Sequence, residues 1–441
     1  MAEHEEEEEE VEFFRDLLRF RTVSAEGPTG VYRDCAEWLA SRIKELIPLA
    51  STKLVEAVEK KPVLVVEVRG EDPSLDAVLL HSHYDVVPAM EEHWDVDPWA
   101  AVEKDGRIYG RGTQDMKSVC AQYVLSMARA YRAALNRAGG DAAKVSHLFK
   151  RSVWLTFTPD EEIGSQDGMG AFVRDGHFDR IIGKVCIALD EGMANDAQDP
   201  ACTVFYGERM PMWVLVKCEG PTGHGSRFIQ NTAVEKLLTM ANKAFTLRRE
   251  QEALLGMTGS GCKHCEAKKL GDVLTINLTA LQAGVSTDGG KSFSLNVIPT
   301  SATAGFDIRV PVTMPIKDVR KMLDDWCCEA GMSWMFDPRY GHDDRDIHAV
   351  WSFDESDELW ATFKNATEKA GLKISREVFP VASDSRFLRV LGIPALGFSP
   401  MARTPILLHD HNEYLERSVF LEGIAAYDAI IPALANFEAS T

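Results

Sequence analysis

Residues 77–88, AVLLHSHYDVVP, constrain the fold more than any other stretch. Ala77 to Leu80 is a short apolar run, and Val and Leu in succession suit a strand covered on both faces of a sheet. The run delivers His83 and Asp85 at its end. On an extended segment, residues two apart point to the same side, so both can address one point in space. A carboxylate so placed can fix the ring of a metal-ligating histidine. Two later runs end in the same manner. Residues 152–158 (SVWLTFT) lead into Asp160, Glu161 and Glu162, and residues 185–189 (VCIAL) lead into Asp190 and Glu191.

Between these runs the spacing turns helical. Val11, Phe14, Leu17 and Leu18 mark a helix over 8–20, and Cys35, Leu39 and Ile43 mark another over 31–46. Both precede the first expected strand, 63–68, and a third helix is expected over 116–131. Strands alternating with helices indicate an α/β layer with a largely parallel sheet. From Met212 the order becomes strand (from 212), helix (232–247), strand (273–281), strand (296–310), helix (316–328) and a short closing run at 332–336. That order is the split βαβ, or ferredoxin-like, α+β sandwich. A helix over 357–371, a strand over 393–398 and a helix over 418–437 then resume the first pattern. The expected organisation is therefore a body built from 1–206 and 341–441, interrupted by an inserted domain at 207–340.

Composition narrows the function. The 441 residues carry 48 Lys and Arg against 68 Asp and Glu, a net charge of −20, which argues against nucleic acid or anionic membrane as a partner. The run Glu5–Glu10 reads as a solvated, partly disordered end, and it leaves no room for the basic start and apolar stretch of a secretory leader. No segment approaches the roughly 20 apolar residues that span a bilayer. Nine scattered cysteines do not form a disulfide framework, so a reducing, cytosolic setting is expected.

In a parallel sheet the carboxyl ends line one edge, where open α/β folds bind ligands. His83, Asp85, Glu161, Glu162 and Glu191 are therefore expected to converge. Asp115 follows Gly110 and Gly112 in GRGTQDMK, and His409 and His411 follow the 393–398 strand in LLHDHNE. Histidines with several carboxylates suit divalent metals such as zinc, and a carboxylate shared by two ions gives a dinuclear site. Such a site hydrolyses amides when a carboxyl that is not a ligand carries the proton, and adjacent Glu161 and Glu162 can divide those tasks.

The successive motifs LLHSHYDVVP, GRGTQDMK, TPDEEIG, ALDEG, PTGHGSRF and GFSPMARTPILLHDHNE resemble the cytosolic aminoacylase branch of the dizinc exopeptidase superfamily, over nearly the whole chain. The resemblance implies a dizinc exopeptidase-like catalytic domain with an inserted lid and dimerisation domain. It implies that Asp115 bridges two zinc ions, with His83 and Glu191 completing one site and Glu162 and His409 the other. Asp85 would orient His83, and Glu161 would be the general base and acid. His224 would enter the partner subunit's site in a homodimer and stabilise the oxyanion, Asn296 and Arg309 would hold the substrate, and Arg386 would lie near its carboxylate. The first histidine of LHDH is the expected ligand, with His411 outside the metal. The implied reaction is hydrolysis of an N-acyl-L-amino acid to a carboxylate and a free amino acid.

Dipeptidase or metallocarboxypeptidase activity on the same scaffold is the alternative, and a catalytically inactive binding protein a further one. Cobalt or manganese could replace zinc at these ligands. His81 and Tyr84, which stand where related enzymes often differ, are expected to affect substrate fit. Cys262, His264 and Cys265 pack too closely for a good tetrahedral site and are expected to form a reduced surface loop. Cys327 and Cys328 are expected to pack half-buried on a helix.

Overall fold

The structure, a computed structural model, describes residues 2–24, 26–196, 201–255, 268–338, 350–351 and 356–439. The chain divides into two compact units. The first comprises 1–206, 351–377 and 383–441, and the second 207–350 with 378–382. The sequence expectation ended the inserted part at 340.

In chain order the first unit begins with α1 (Ala2–Leu18), α2 (Val31–Leu46), β1 (Ser51–Val58), β2 (Lys61–Val68) and β3 (Ala77–His83). The hairpin β4 (Val102–Lys104) and β5 (Arg107–Tyr109) precedes α3 (Lys117–Arg137), β6 (Val153–Thr158), α4 (Met169–Arg174), α5 (His177–Ile181), β7 (Val185–Asp190) and β8 (Ala201–Glu208). The second unit holds β9 (Met210–Glu219), β10 (Gly223–His224), α6 (Ala233–Glu252), β11 (Thr275–Ala283), β12 (Val297–Ile298), β13 (Ser301–Val310), α7 (Ile316–Trp326) and β14 (Met332–Phe336). The chain closes with α8 (Glu358–Lys369), β15 (Lys373–Phe379), α9 (Ser385–Val390), β16 (Ala395–Phe398), β17 (Tyr414–Glu416) and α10 (Arg417–Ala435).

The main sheet has eight strands in the order β1-β2-β6-β3-β7-β16-β8-β15. Its central four, β6, β3, β7 and β16, are parallel, and β1, β2 and β8 pair antiparallel around them. All seven residues of β3 are buried, as a strand in the middle of a two-sided sheet requires. Alternation along the strands sorts the core into two layers. Leu64, Val66, Val78 and Leu80 face a large cluster with α1, α2, α3, α8 and α10, while Val63, Val65 and Leu79 face a smaller one with Met169, Phe172, Phe178 and Leu388.

The second unit has a four-stranded antiparallel sheet in the order β11-β13-β9-β14, the split βαβ arrangement. Its helices α6 and α7 bury Leu237, Met240, Val319 and Leu323 against Val214, Val216, Phe306 and Ile308. A separate two-stranded ribbon pairs His224 with Val297 and Gly223 with Ile298.

Several expectations need correction. The glutamate run is no disordered end. It lies in α1, where Glu10 is 2% exposed and grips Arg129 through Nε at 2.7 Å and Nη2, and Arg132 bonds Glu6 and Glu10. Glu6 and Glu10 are four residues apart and share a helix face, which meets arginines three apart on α3. The strands β1, β8 and β15 and the small sheet β17-β5-β4 were not anticipated. One described helix, α10, is long and apolar enough to cross a membrane, but Phe420, Ile424, Tyr427, Ile430 and Leu434 place it in the first unit's core. Helix α7 stops at Trp326, leaving Cys327 buried and Cys328 exposed. Cys262, His264 and Cys265 lie outside the described residues.

Candidate active site

The parallel centre of the sheet explains how residues far apart in sequence meet. His83 is the last residue of β3, Glu161 and Glu162 follow β6 in a helical turn, and Glu191 follows β7. Asp115 stands just ahead of α3, and His409 lies in the loop between β16 and β17. The structure brings five of these side chains into two trios. His83, Asp115 and Glu191 form one, and Asp115, Glu162 and His409 form the other, with the donor atoms of each within 4.8 Å of one another. Nε2 of His83 is 3.1 Å from Asp115 Oδ1 and 3.5 Å from Glu191 Oε2. Nε2 of His409 is 3.2 Å from Asp115 Oδ2 and 2.9 Å from Glu162 Oε2. Asp115 thus offers one oxygen to each trio.

Asp85 sits beneath, fully buried. Its backbone carbonyl accepts from His83 Nδ1 at 3.0 Å, while its carboxylate lies 3.4 Å from that nitrogen. The carboxylate is instead occupied by the backbone N–H groups of Glu161 (3.0 Å) and Glu162 (3.2 Å) and by the Ser24 hydroxyl (2.9 Å). One residue therefore fixes the imidazole of β3 and the acidic turn after β6 together. Asp190 does similar work beside Glu191, accepting from the Glu191 N–H and from the N–H and hydroxyl of Ser385, each at 2.8 Å.

The electrostatics follow from crowding several acids into a buried space. Burial, then the charges of Asp115 and Glu191 respectively, push the carboxyls of Glu191 and Glu161 well above the usual carboxylate range. Glu162 is pushed up to about 7 by burial and by Asp115, against the pull of His409. Asp115 goes the other way. Burial would raise it, but hydrogen bonds from His409 and His83 outweigh burial and hold it well below that range. Burial would depress His83, yet bonds to Asp115, Asp85 and Glu191 raise it, and Asp115 and Glu162 raise His409 to about 10. Such mutual strain among ionisable groups is what a bound cation resolves, because it becomes the largest local charge. Mixed imidazole and carboxylate donors around one shared carboxylate fit a pair of divalent ions. Glu161 belongs to neither trio and is 9% exposed.

The other nominated residues are placed differently. Arg386 lies on α9 in the first unit, its Nη1 donating to Ser383 O (2.8 Å) and its Nη2 to Gly164 O (2.9 Å), so it braces the turn after Glu162. His224 and Asn296 are exposed on or beside the ribbon of the second unit, where the Gly225 N–H donates to Asn296 O at 2.8 Å. Arg309, on β13, grips Asp307 with two bonds of 2.7 and 3.1 Å and lies 5.2 Å from the Trp213 ring. His411 joins neither trio and packs its ring 4.9 Å from that of His93.

His81 and Tyr84 do not shape a substrate surface as expected. Both are fully buried, His81 between Thr156 Oγ1 (2.7 Å) and Asp384 Oδ2 (3.0 Å), Tyr84 donating to Pro62 O (2.6 Å). Asp384, which also accepts from Thr158 at 2.9 Å, was missed. Only its place in SDSRFLR, next to Ser385 and Arg386, could have flagged it.

A model of the peptidase family M20/M25/M40 matches residues 79–433. Aminoacylase-1 of Dictyostelium discoideum is 42% identical over 435 residues, covering 98% of this chain and 99% of the relative, and human aminoacylase-1 is 38% identical over 439 residues, covering 99% and 97%. Among solved structures, an M20 family metallo-carboxypeptidase from Sulfolobus solfataricus superposes with a TM-score of 0.68 at 16% identity, covering 97% of this chain and 99% of that one. A dinuclear metal binding peptidase of the M20 family from Bacillus subtilis superposes with a TM-score of 0.58 at 13% identity, covering 98% of each. A chain that aligns end to end with such relatives and folds as they do belongs to the peptidase M20/M25/M40 family, and within it to the aminoacylase-1 group.

Proposed function

We propose that this protein is an aminoacylase, a metal-dependent amidohydrolase that cleaves N-acyl-L-amino acids to a carboxylate and a free amino acid. The observation that carries the reading is the pair of trios sharing Asp115, with buried Glu161 beside them, in a chain that is 38–42% identical over nearly its whole length to aminoacylase-1 proteins. Two divalent ions, zinc by the donor set and replaceable by cobalt or manganese, would be held by His83, Asp115 and Glu191 on one side and by Asp115, Glu162 and His409 on the other. Bound there, such a pair would supply Lewis acidity to an amide carbonyl and lower the pKa of a water toward neutral pH.

The protein's own groups do the rest. Asp85 keeps the His83 ring turned toward Asp115. Glu161 takes the proton of the attacking water and returns it to the departing amine nitrogen. Asn296 and Arg309 hold the substrate, and Arg386 supplies positive charge for its carboxylate. His224 acts from a second copy of the chain, donating a hydrogen bond to the carbonyl oxygen as that oxygen gains charge. The working form is then a cytosolic homodimer.

The test is a comparison of N-acetyl-methionine with unblocked dipeptides, using protein as purified, stripped by chelator and reloaded with zinc. Hydrolysis of the acylated amino acid, lost on stripping and regained on reloading, is the expected result. Preference for dipeptides would move the protein to the dipeptidase reading. Full activity in protein shown metal-free by elemental analysis would overturn the dinuclear reading.

A further inference from the structure

Of the five side chains in the two trios, four have regular structure close at hand. His83 closes β3, Glu191 follows β7, Glu162 lies in the turn Glu161–Ile163, and Asp115 precedes α3. His409 stands in the loop between β16 and β17, half-exposed, with a backbone φ of +64°. That loop is held by an exchange of side chains with the loop that carries Asp115.

Gln114 reaches across from the Asp115 side. Its Nε2 donates to the carbonyls of Pro405 (3.0 Å) and Tyr414 (2.9 Å), and its Oε1 accepts from the Leu407 N–H (2.9 Å). Those partners lie on both legs of the His409 loop. Glu413 reaches back from the other side. Its Oε1 accepts from the Gln114 N–H (2.6 Å), and its Oε2 accepts from the Gly112 N–H (3.1 Å) and Arg111 Nη1 (2.7 Å). Glu413 is fully buried, Gln114 is 4% exposed and Arg111 2%. These bonds use every oxygen of the two side chains and the amide nitrogen. Truncating Glu413 leaves buried backbone groups without partners, and truncating Gln114 leaves part-buried ones in the His409 loop without theirs.

We infer that Gln114 and Glu413 are positioning residues that couple His409 to Asp115, so that one side of the two-ion site depends on this clasp. The inference rests on the dinuclear reading proposed above. It predicts an asymmetry between the two ions. His83 and Glu191 are fixed by β3, β7 and the Asp190 bonds, none of which involves the clasp. Losing the Gln114 amide frees the His409 loop to adopt other conformations, and ordering it again costs affinity for the ion on that side alone. Outer partners of metal ligands typically govern 10- to 100-fold in affinity, roughly the effect expected here.

The experiment is a zinc titration of metal-free protein against a competing chelating dye, with bound metal counted by elemental analysis. Wild type, Gln114→Met and His409→Ala are compared, and the melting temperature of each metal-free protein is recorded. Wild type is expected to bind two equivalents. Gln114→Met is expected to keep one equivalent at wild-type affinity and weaken the second about 10- to 100-fold, approaching His409→Ala. Its kcat should recover at high zinc, which a general loss of structure would not allow. Gln114→Ala, which removes the same three bonds to the His409 loop and leaves Glu413 in place, gives the same readout if Gln114→Met fails to fold. Two equivalents bound as tightly as in wild type, or both weakened alike, would overturn the inference. Fewer than two equivalents in wild type would instead overturn the dinuclear reading itself.

Discussion

The acid–histidine cluster of the first unit and the ribbon of the second are built on opposite principles. In the cluster every nominated group is tied to its own chain: His83 to Asp85, the Glu161–Glu162 turn to Asp85, and Glu191's backbone to Asp190. On the ribbon, His224 and Asn296 are exposed, and Phe228 and Leu295 nearby are 100% and 94% exposed. A preorganised cluster lowers the cost of holding charged groups where chemistry happens. An exposed imidazole flanked by bare apolar side chains is organised for nothing on its own ribbon. The difference supports the view that the second unit's residues gain their function against another surface, while the acid–histidine cluster is held in place by its own neighbours.

Each expected effect tests one side of that contrast. The largest belongs to Glu161. Glu161→Gln keeps size and shape but removes the proposed proton carrier, so kcat is expected to fall about 10²- to 10⁴-fold with metal content unchanged. Glu162→Gln should lower metal content as well. The reverse pattern, found by elemental analysis of both variants, would exchange their roles.

Next comes His224→Ala. Among the described residues the side chain bonds only the hydroxyl and N–H of Ser226, so stability and metal content should hold, while kcat falls about 10²-fold and KM changes little. A fall in melting temperature as large as that of a core substitution would mean the ribbon is structural.

A third effect falls on stability alone. Arg129→Ala leaves Glu10 buried without its bidentate partner, and a loss of about 1–3 kcal/mol is expected once the partial exposure of Arg129 is allowed for. Thermal denaturation should register it while kcat stays put, separating scaffold from chemistry within the first unit. The smallest effect is expected at Arg309→Lys, which keeps charge but loses the two-point hold on Asp307. KM should rise severalfold, read from initial rates.

How much of this was legible in the sequence depended on where each residue's signal lay. Ala77–Leu80 announced itself because a strand covered on both faces reads as an unbroken apolar run, and the acids after β6 and β7 were readable as what such strands deliver. Strands β1 and β15 were not. STKLVEAV and KISREVF are half-exposed, and they lack the unbroken apolar runs that marked the other strands. The glutamate run was misread because charge density suggests solvation, whereas Glu6 and Glu10 answer to Arg129 and Arg132 more than a hundred residues away. Gln114 and Glu413 lie inside the motifs GRGTQDMK and LLHDHNE, yet nothing in those motifs shows what they hold. Their partners are backbone groups about 300 residues distant, which a sequence does not display.

The contrast between the two regions is decided most directly by mixing two inactive variants. His224→Ala supplies an intact Glu161, and Glu161→Gln supplies an intact His224. In a symmetric dimer with random exchange, half the molecules are mixed and one of their two sites is whole, so about a quarter of wild-type activity should return. Recovery near that level is the predicted result. If subunit exchange is verified and no activity returns, His224 does not act across chains, and the division of labour between the two units is wrong.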